Sequence, residues 1–385
     1  MNTVYDFVIV GGGMAGVATA SELAKVGKVL VLEREASMAY HTTGRSAAIS
    51  MESYGNEFIR KLTCASRYYF ENPPSENAVD PLCSPRGALI LANEKSVDKL
   101  NKRYTLVQKI VPSVQMLDRQ ECSDMAPFMA SQWIAGMYES SAFDLDVHAI
   151  HTSFCRTIRR HGGLIKTNSE VVGAVRSSGS WTIALADGAK IEAGVMVNAA
   201  GAWADILAQR CHAKSLGIQA LQRTVVVIDP EQKIEQCPYI GTIDEQIFLK
   251  PDVGRLMVSP CDEMLTEPCD AIADEMGVAI TMDRLEKATS LRPRKILNRW
   301  AGLRVFMSDR SPLLGADPHA EGFIWCAALG GYGIQTAPMV GKLCAAYAAQ
   351  LAIPQELAEL DLRAATPARK LQVGLAKVIS VAEMK

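Results

Sequence analysis

The chain has 385 residues, 49% hydrophobic and 21% charged, with a formal net charge of −2. That length exceeds one compact core and suits two interlocked domains of an ordinary globular protein. The near-neutral charge excludes an electrostatic case for binding nucleic acid or an anionic membrane. No apolar run reaches the roughly eighteen residues of a spanning helix, and the first strand begins too early for a signal peptide, so the expected compartment is the cytoplasm. The ten cysteines scatter from Cys64 to Cys344 with no C-x-x-C pair, as expected of reduced thiols. His148 and His151 lie three apart, but no cysteine or carboxylate pattern completes a metal site, and no metal is expected.

In chain order, Tyr5 to Val10 reads as an apolar strand, followed by Gly11-Gly12-Gly13-Met14-Ala15-Gly16 and a helix from Val17 to Val26. A second strand, Val29 to Leu32, ends on Glu33. Strand, G-x-G-x-x-G, helix, strand and acidic residue within about thirty residues is a dinucleotide-binding pattern. Gly11 makes the tight turn, Gly13 lets backbone approach a pyrophosphate, and Gly16 lets helix and strand pack closely. The helix N-terminus favours phosphate, and Glu33 is placed to accept from ribose hydroxyls. The motif alone suits FAD or NAD. The hydroxyl-rich loop from Ala39 to Ala48, with Arg45, is suited to wrapping a long cofactor.

Beyond it, Glu57 to Tyr69 has helical spacing and stops at Asn72-Pro73-Pro74. Gly87 to Ala92 reads as a strand, Ser96 to Ile110 as a helix with Ser96 as N-cap, Asp118 to Cys122 as a short helix, and Trp133 to Tyr138 as a strand. Asp144 to His161 reads as a helix. Trp181 to Leu185 and Lys190 to Ala193 form a hairpin around Asp187-Gly188. Gly194 to Gly201 is a buried parallel strand with a helix after it, Ala202 to Ala213. Gln222 to Ile228 and Lys295 to Phe306 are strands that each carry an arginine, with paired strands Gln246 to Pro251 and Gly254 to Ser259 and a helix Asp283 to Ser290 between them. A helix from Ile334 to Leu351 follows a glycine cluster. The tail from Leu362, with Leu371, Val373, Leu375, Val378, Ile379 and Val381 among lysines, reads as a docked or frayed helix, with a partner contact or membrane-surface element as alternatives.

Gly11 to Gly16, Leu32 to Glu35, His41 to Ala48, Val197 to Trp203, Trp300 to Arg304 and Gly330 to Thr336 together resemble the D-amino-acid-dehydrogenase/glycine-oxidase-like (DAO) family of flavoproteins. The resemblance covers nearly the whole chain and is nearest to the bacterial D-arginine dehydrogenases. It implies an α/β fold with an α+β substrate part. A Rossmann-like FAD-binding domain would comprise residues 1–80, 142–213 and 308–385. An interleaved antiparallel-sheet substrate domain would comprise 81–141 and 214–307. It implies non-covalent FAD held by Gly11, Gly13, Met14, Ala15, Gly16, Glu33 and Arg34, and by His41, Thr42, Thr43, Gly44, Arg45, Ser46, Ala47 and Ala48. Val171, Ala200, Gly201 and Trp203 complete one end, and Gly330, Gly331, Tyr332, Gly333, Ile334, Gln335 and Thr336 the flavin end, where the last helix's dipole would face the ring. Some relatives attach flavin through a cysteine; Cys326 here reads as an apolar strand residue.

The resemblance also implies a catalytic set. Arg223 and Arg304 would grip the substrate carboxylate, Tyr54 would bind carboxylate or amine, and the Gly331 carbonyl would accept from the amine. The pocket would be formed by Ile49, Met51, Ala88, Phe248 and Tyr332. Four of these depart from the D-arginine dehydrogenase pattern, each losing polarity: a glutamate becomes Ala88, a tyrosine Phe248, a histidine Ile49 and a threonine Met51. A buried guanidinium without a partner costs several kcal/mol. The expected reaction is therefore oxidation of the CH–NH bond of a neutral or apolar D-amino acid, not D-Arg, by hydride transfer to flavin. The imino acid would hydrolyse to a 2-oxo acid and ammonia. Restoring the carboxylate with Ala88→Glu should then add basic substrates. Alternatives are a secondary or cyclic amino acid, as in sarcosine-oxidase-like relatives, a 2-hydroxy acid, or a non-catalytic flavoprotein subunit. Oxygen, a quinone or another carrier all suit as electron acceptor, and the oligomeric state is open.

Overall fold

The computed structural model describes residues 4–74, 81–231, 234 and 236–369. Its strands form two large sheets. The first is organised around Val4–Val10, buried from Phe7 to Val10. It pairs in parallel with Val29–Leu32 on one side and Lys190–Asn198 on the other. Strands covered on both faces become continuous Val/Ile/Leu runs, as Val29–Leu32 and the end of the first strand, Val8 to Val10, do. The order is Val171–Ser177, Ser180–Leu185, Lys190–Asn198, Val4–Val10, Val29–Leu32, Leu164–Lys166, and Phe323–Ala327 joins in parallel beside Asn198 with Leu313–Ala316 on it. Lys190–Asn198 is one strand, not two: its first half closes the hairpin with Ser180–Leu185 and its second half enters the parallel core.

Met14–Leu23 packs against Val147–Arg160 and Ala337–Ala349 over that sheet. Gly341 permits the closest approach, since a Cβ there would lie 2.6 Å from the Ala18 carbonyl oxygen.

The second sheet has nine mostly antiparallel strands drawn from 88–139 and 219–306. Gln219–Ile228 and Ile296–Phe306 are its longest pair, with Arg223 opposite Gly302 and Leu221 opposite Arg304. A three-stranded sheet of Ile49–Ser50, Phe143–Leu145 and Cys83–Pro85 joins the two. The chain leaves the first sheet twice and returns twice.

Several element bounds differ from expectation for identifiable reasons. The first helix starts at Met14, directly on the third glycine, and ends at Leu23. Phe143–Leu145 is drawn into the small sheet, so the following helix starts at Val147 with Asp146 as its cap, accepting from Ala149 N at 2.8 Å. The Ser96 hydroxyl does not cap its helix but bonds back to Asn93. Gly201–Trp203 is a 3-10 turn, and the helix after it is only Ala204–Arg210. The helix expected from Asp283 begins eight residues earlier, at Glu275, capped by Asp274. Residues 331–336 form turns, and the last helix begins at Ala337 rather than Ile334. In the tail, Leu362–Ala364 is a 3-10 turn, and residues 370–385, with the apolar set from Leu371 to Val381, lie outside the described residues. Among the described residues no helix is long and apolar enough to cross a membrane.

Candidate active site

A cavity of about 340 Å³ opens between the two large sheets. Its first half is the glycine turn. Gly11 takes φ +117°, and a Cβ there would lie 2.3 Å from the Ala199 carbonyl oxygen. A Cβ on Gly16 would lie 2.0 Å from the Gly11 oxygen, so Gly16 packs behind the turn rather than in the cavity wall. Gly11, Gly13, Met14 and Ala15 do line the wall. The Thr43 hydroxyl accepts from Met14 N at 3.0 Å, tying the 39–48 loop to the helix start. Glu33, 8% exposed, accepts from Gly12 N (2.8 Å) and Glu35 N (2.9 Å) while facing the cavity. His151 Nε2 donates to the Gly12 carbonyl at 2.9 Å, and burial holds its pKa below the usual value, favouring the neutral ring.

At one end, the Arg34 guanidinium lies 4.4 Å over Trp203, and His41 packs on the same indole while bonding Glu35. Val171, Ala200 and Gly201 line this end, and a Cβ on Gly201 would meet nothing within 4 Å. Thr42 donates to the Leu303 carbonyl, and Ser46, Ala47 and Ala48 continue the wall. Arg45 lines it too, but its guanidinium is tied to Asp270 and to the carbonyls of Ala271 and Ala301. Gly44 sits off the wall against the Ala39 carbonyl. At the other end, Gly330 takes φ +50° and donates to the Val305 carbonyl. Gly331, Gly333, Ile334 and Gln335 line the wall, with the Gln335 side chain bonded to Met51 N and Thr63. Thr336 is fully buried behind them. Cys326 is buried, its Sγ 3.5 Å from the Thr19 hydroxyl. An elongated cleft with a helix N-terminus, a glycine turn and a carboxylate at the next strand's tip fits a dinucleotide such as FAD.

The second half is cationic. Arg304 Nη2 donates to Tyr54 Oη at 2.8 Å, and Arg304 Nη1 to Glu263 Oε1 at 3.3 Å. Arg223 Nη2 reaches the same Glu263 oxygen at 3.3 Å, and its Nε donates to the Asp262 carbonyl. Arg310 completes the cluster with 3.0 and 2.5 Å bonds to Glu263. Burial raises the Glu263 carboxyl, but the Arg310 hydrogen bonds and the charges of Arg304, Arg310 and Arg223 outweigh it and leave its pKa lowered. Burial alone would lower Arg304; the Tyr54, Tyr332 and Glu263 oxygens more than reverse that, so it stays charged. A Cβ on Gly331 would fall 2.1 Å from Arg304 Nη2, so the missing side chain makes room for this guanidinium.

Ile49, Met51 and Phe248 line the wall here. Ala88 does not: it is 1% exposed, packed with Met51 and Ala142. Its partner across the sheet is Glu139, whose buried carboxylate accepts from Glu52 N (2.8 Å) and Ser53 N (3.0 Å) and so fixes the loop bearing Tyr54. Tyr332 also sits behind the wall, against Tyr54 and Phe306. Sequence reasoning missed Glu263, Asp262, Arg310, Glu139 and His151, and it missed Arg103 and Glu245, which line the same cavity. Only His151 carried a signal, as a polar residue on the apolar face of its helix.

Residues 6–347 match the family model described as FAD dependent oxidoreductase (DAO). The chain is 26% identical over 357 residues to glycine oxidase of Geobacillus kaustophilus (strain HTA426), covering 89% of this chain and 92% of that one. It is 23% identical over 390 residues to mitochondrial dimethylglycine dehydrogenase of Mus musculus, covering 92% of this chain but 44% of that protein, so it spans less than half of that relative's length. The crystal structure of glycine oxidase from Geobacillus kaustophilus superposes with a TM-score of 0.83 at 22% identity, covering 97% of this chain and 100% of that one. Dithionite-reduced L-alpha-glycerophosphate oxidase from Mycoplasma pneumoniae, with FAD bound, superposes with a TM-score of 0.81 at 17% identity, covering 90% and 95%. With a family match over residues 6–347 and a cleft shaped for a dinucleotide, the chain belongs to the FAD dependent oxidoreductase (DAO) family, and its cofactor is FAD.

Proposed function

We propose that the protein oxidises the CH–NH bond of an amino acid, a D-amino acid with a neutral or apolar side chain. The observation that carries this is the convergence of Arg223, Arg304 and Tyr54 beside Gly331, in the same cavity as the dinucleotide turn. When bound, FAD supplies the hydride acceptor. The chain's own residues do the positioning. The two guanidiniums hold the substrate carboxylate, Tyr54 fixes Arg304, and the Gly331 carbonyl takes a hydrogen bond from the amine. Holding Cα–H over the ring supplies much of the barrier reduction. The amine is neutral when hydride leaves, so no side-chain base is required, and the imino product hydrolyses to a 2-oxo acid and ammonia.

Ile49, Met51 and Phe248 leave the side-chain region apolar. Glu245 lines the same cavity but is exposed, so water screens it and it is a poor substitute for a buried partner to a basic side chain. On this reading, resemblance to the D-arginine dehydrogenases would be confined to the carboxylate clamp and would not reach the side chain. Glycine oxidase and dimethylglycine dehydrogenase among the relatives support an amine donor. The second of these, whose name gives an N-methylated glycine, favours one further reading, oxidation of an N-substituted amino acid. A 2-hydroxy acid would need a base for its hydroxyl proton, and Ile49 stands where the resemblance to the D-arginine dehydrogenases would put a histidine.

Anaerobic mixing with a panel of D- and L-amino acids, N-methyl and cyclic amino acids and 2-hydroxy acids, followed by loss of flavin absorbance, tests the proposal. Neutral D-amino acids should bleach the flavin fastest. Selective reduction by D-Arg would overturn the side-chain assignment. A flavin that no amine reduces would overturn the function. Repeating turnover with oxygen and with a quinone identifies the electron acceptor.

A further inference from the structure

Glu263 is a carboxylate within reach of both arginines assigned to the substrate carboxylate. It precedes the edge strand Met264–Thr266, which pairs with Ala220 to Gln222. The segment is pinned by its neighbour: the Asp262 carboxylate accepts from Thr224 N and Thr224 Oγ1, both at 2.7 Å. Glu263 Oε1 then sits 3.3 Å from Arg223 Nη2, 3.3 Å from Arg304 Nη1 and 3.0 Å from Arg310 Nη1. The side chains of Arg223, Arg304 and Glu263 are 12%, 11% and 20% exposed, so their charges are weakly screened.

Three guanidiniums face two carboxylates, Glu263 and Asp262, leaving one positive charge in excess. Arg103 and Glu245, elsewhere in the wall, cancel in the count. We propose that Glu263 is a specificity-determining residue that sets this seat to one surplus positive charge, so that it takes ligands with one carboxylate and rejects those with two. The inference rests on the amino-acid reading above and deepens it: the substrate is a monocarboxylate. Arg223 and Arg304 line the cavity and Glu263 stands directly behind them, so a second carboxylate on the ligand would face its charge across the two guanidiniums. Without that charge, the seat carries two surplus positives and matches a dianion. Like charges brought together in a poorly solvated site discriminate strongly.

The test uses the FAD-loaded protein and two unreactive acids of similar size, propanoate and malonate, titrated by the perturbation of flavin absorbance. In Glu263→Gln the ratio of malonate to propanoate affinity should rise by about tenfold or more over wild type, the size of one like-charge contact. Glu263→Asp, which keeps the charge, should keep the wild-type ratio. Arg310→Gln, at the more exposed edge, should move the ratio the opposite way and remains informative if Glu263→Gln does not fold. A merely structural Glu263 would weaken both acids together; a ratio within threefold of wild type in both Glu263→Gln and Arg310→Gln overturns the inference. If neither acid perturbs the wild-type flavin, the carboxylate clamp itself is wrong, and the amino-acid reading falls with it.

Discussion

Replacing Gly331 by alanine should cripple the site while sparing the fold. The new Cβ would lie 2.1 Å from Arg304 Nη2 and 2.6 Å from its Cζ and Nε. These atoms are the far end of a flexible side chain, so the guanidinium retreats and the backbone stays. Gly330 needs its positive φ, but Gly331 is not among the positive-φ glycines, so alanine is tolerated there. Retreat by more than an ångström breaks the 2.8 Å bond to Tyr54 and the 3.3 Å contact with Glu263. A hydrogen bond involving a charged group contributes about 1.5–3 kcal/mol, or roughly ten- to a hundredfold in an equilibrium. Gly331→Ala should therefore lower kcat/KM for the best amino acid, and weaken propanoate, by that factor. Its Tm should fall by only a few degrees, as expected for a change near 1 kcal/mol in a chain of this size. Steady-state kinetics, the flavin titration and thermal unfolding check the three parts. An unchanged kcat/KM would refute the claim that Gly331 makes room for a working Arg304. A large loss of Tm would show that the glycine serves the fold instead.

Glu139→Gln should destabilise the protein by about 2 kcal/mol, because Glu52 N and Ser53 N donate to different carboxylate oxygens and one of these becomes an NH2 that cannot accept. Burial raises the Glu139 carboxyl above its ordinary value of 4.5, so the stability linked to its proton is fully present below that pH and lost as pH rises through the folded pKa. The deficit of the variant, measured by denaturant unfolding from about pH 4 to about pH 8, should therefore shrink with rising pH; a widening gap would contradict the assignment. Ala88→Glu should lower Tm sharply without adding D-Arg turnover, since the carboxylate would be buried among Met51 and Ala142, at a cost of several kcal/mol. A stable variant that oxidises D-Arg would place position 88 in the pocket after all.

Placing Ala88 shows where sequence reading loses its grip. Apolar patterning and spacing report which residues share a face, and they located the glycine turn, the hairpin around Asp187-Gly188 and the two arginine-bearing strands. They do not report whether a strand residue faces a cavity or the core behind it, which depends on how two sheets meet. Glu263 and Asp262 lie in an irregular stretch with no periodicity to read, and their meaning arises only when three arginines from distant segments surround them. Asp144 and Leu145 looked like the start of a helix because their strand's pairing partners come from two remote segments. Ser96 had the right residue type for a cap, yet a nearer partner at Asn93 captured its hydroxyl.

The dinucleotide turn near residue 11 is completed by the far end of the chain. Phe323–Ala327 extends the sheet beside Asn198, and Ala337–Ala349 lies against Met14–Leu23 closely enough that Gly341 is needed. During synthesis the first thirty residues leave the ribosome long before either element exists. The half-built sheet has to wait, with apolar strands uncovered, for some three hundred residues of intervening chain. Cofactor loading is therefore expected late, with closure of the whole molecule rather than with emergence of the motif. A chain halted before residue 337 would display the complete glycine signature without the helix that packs behind it, and its flavin content on purification should be well below that of the full chain.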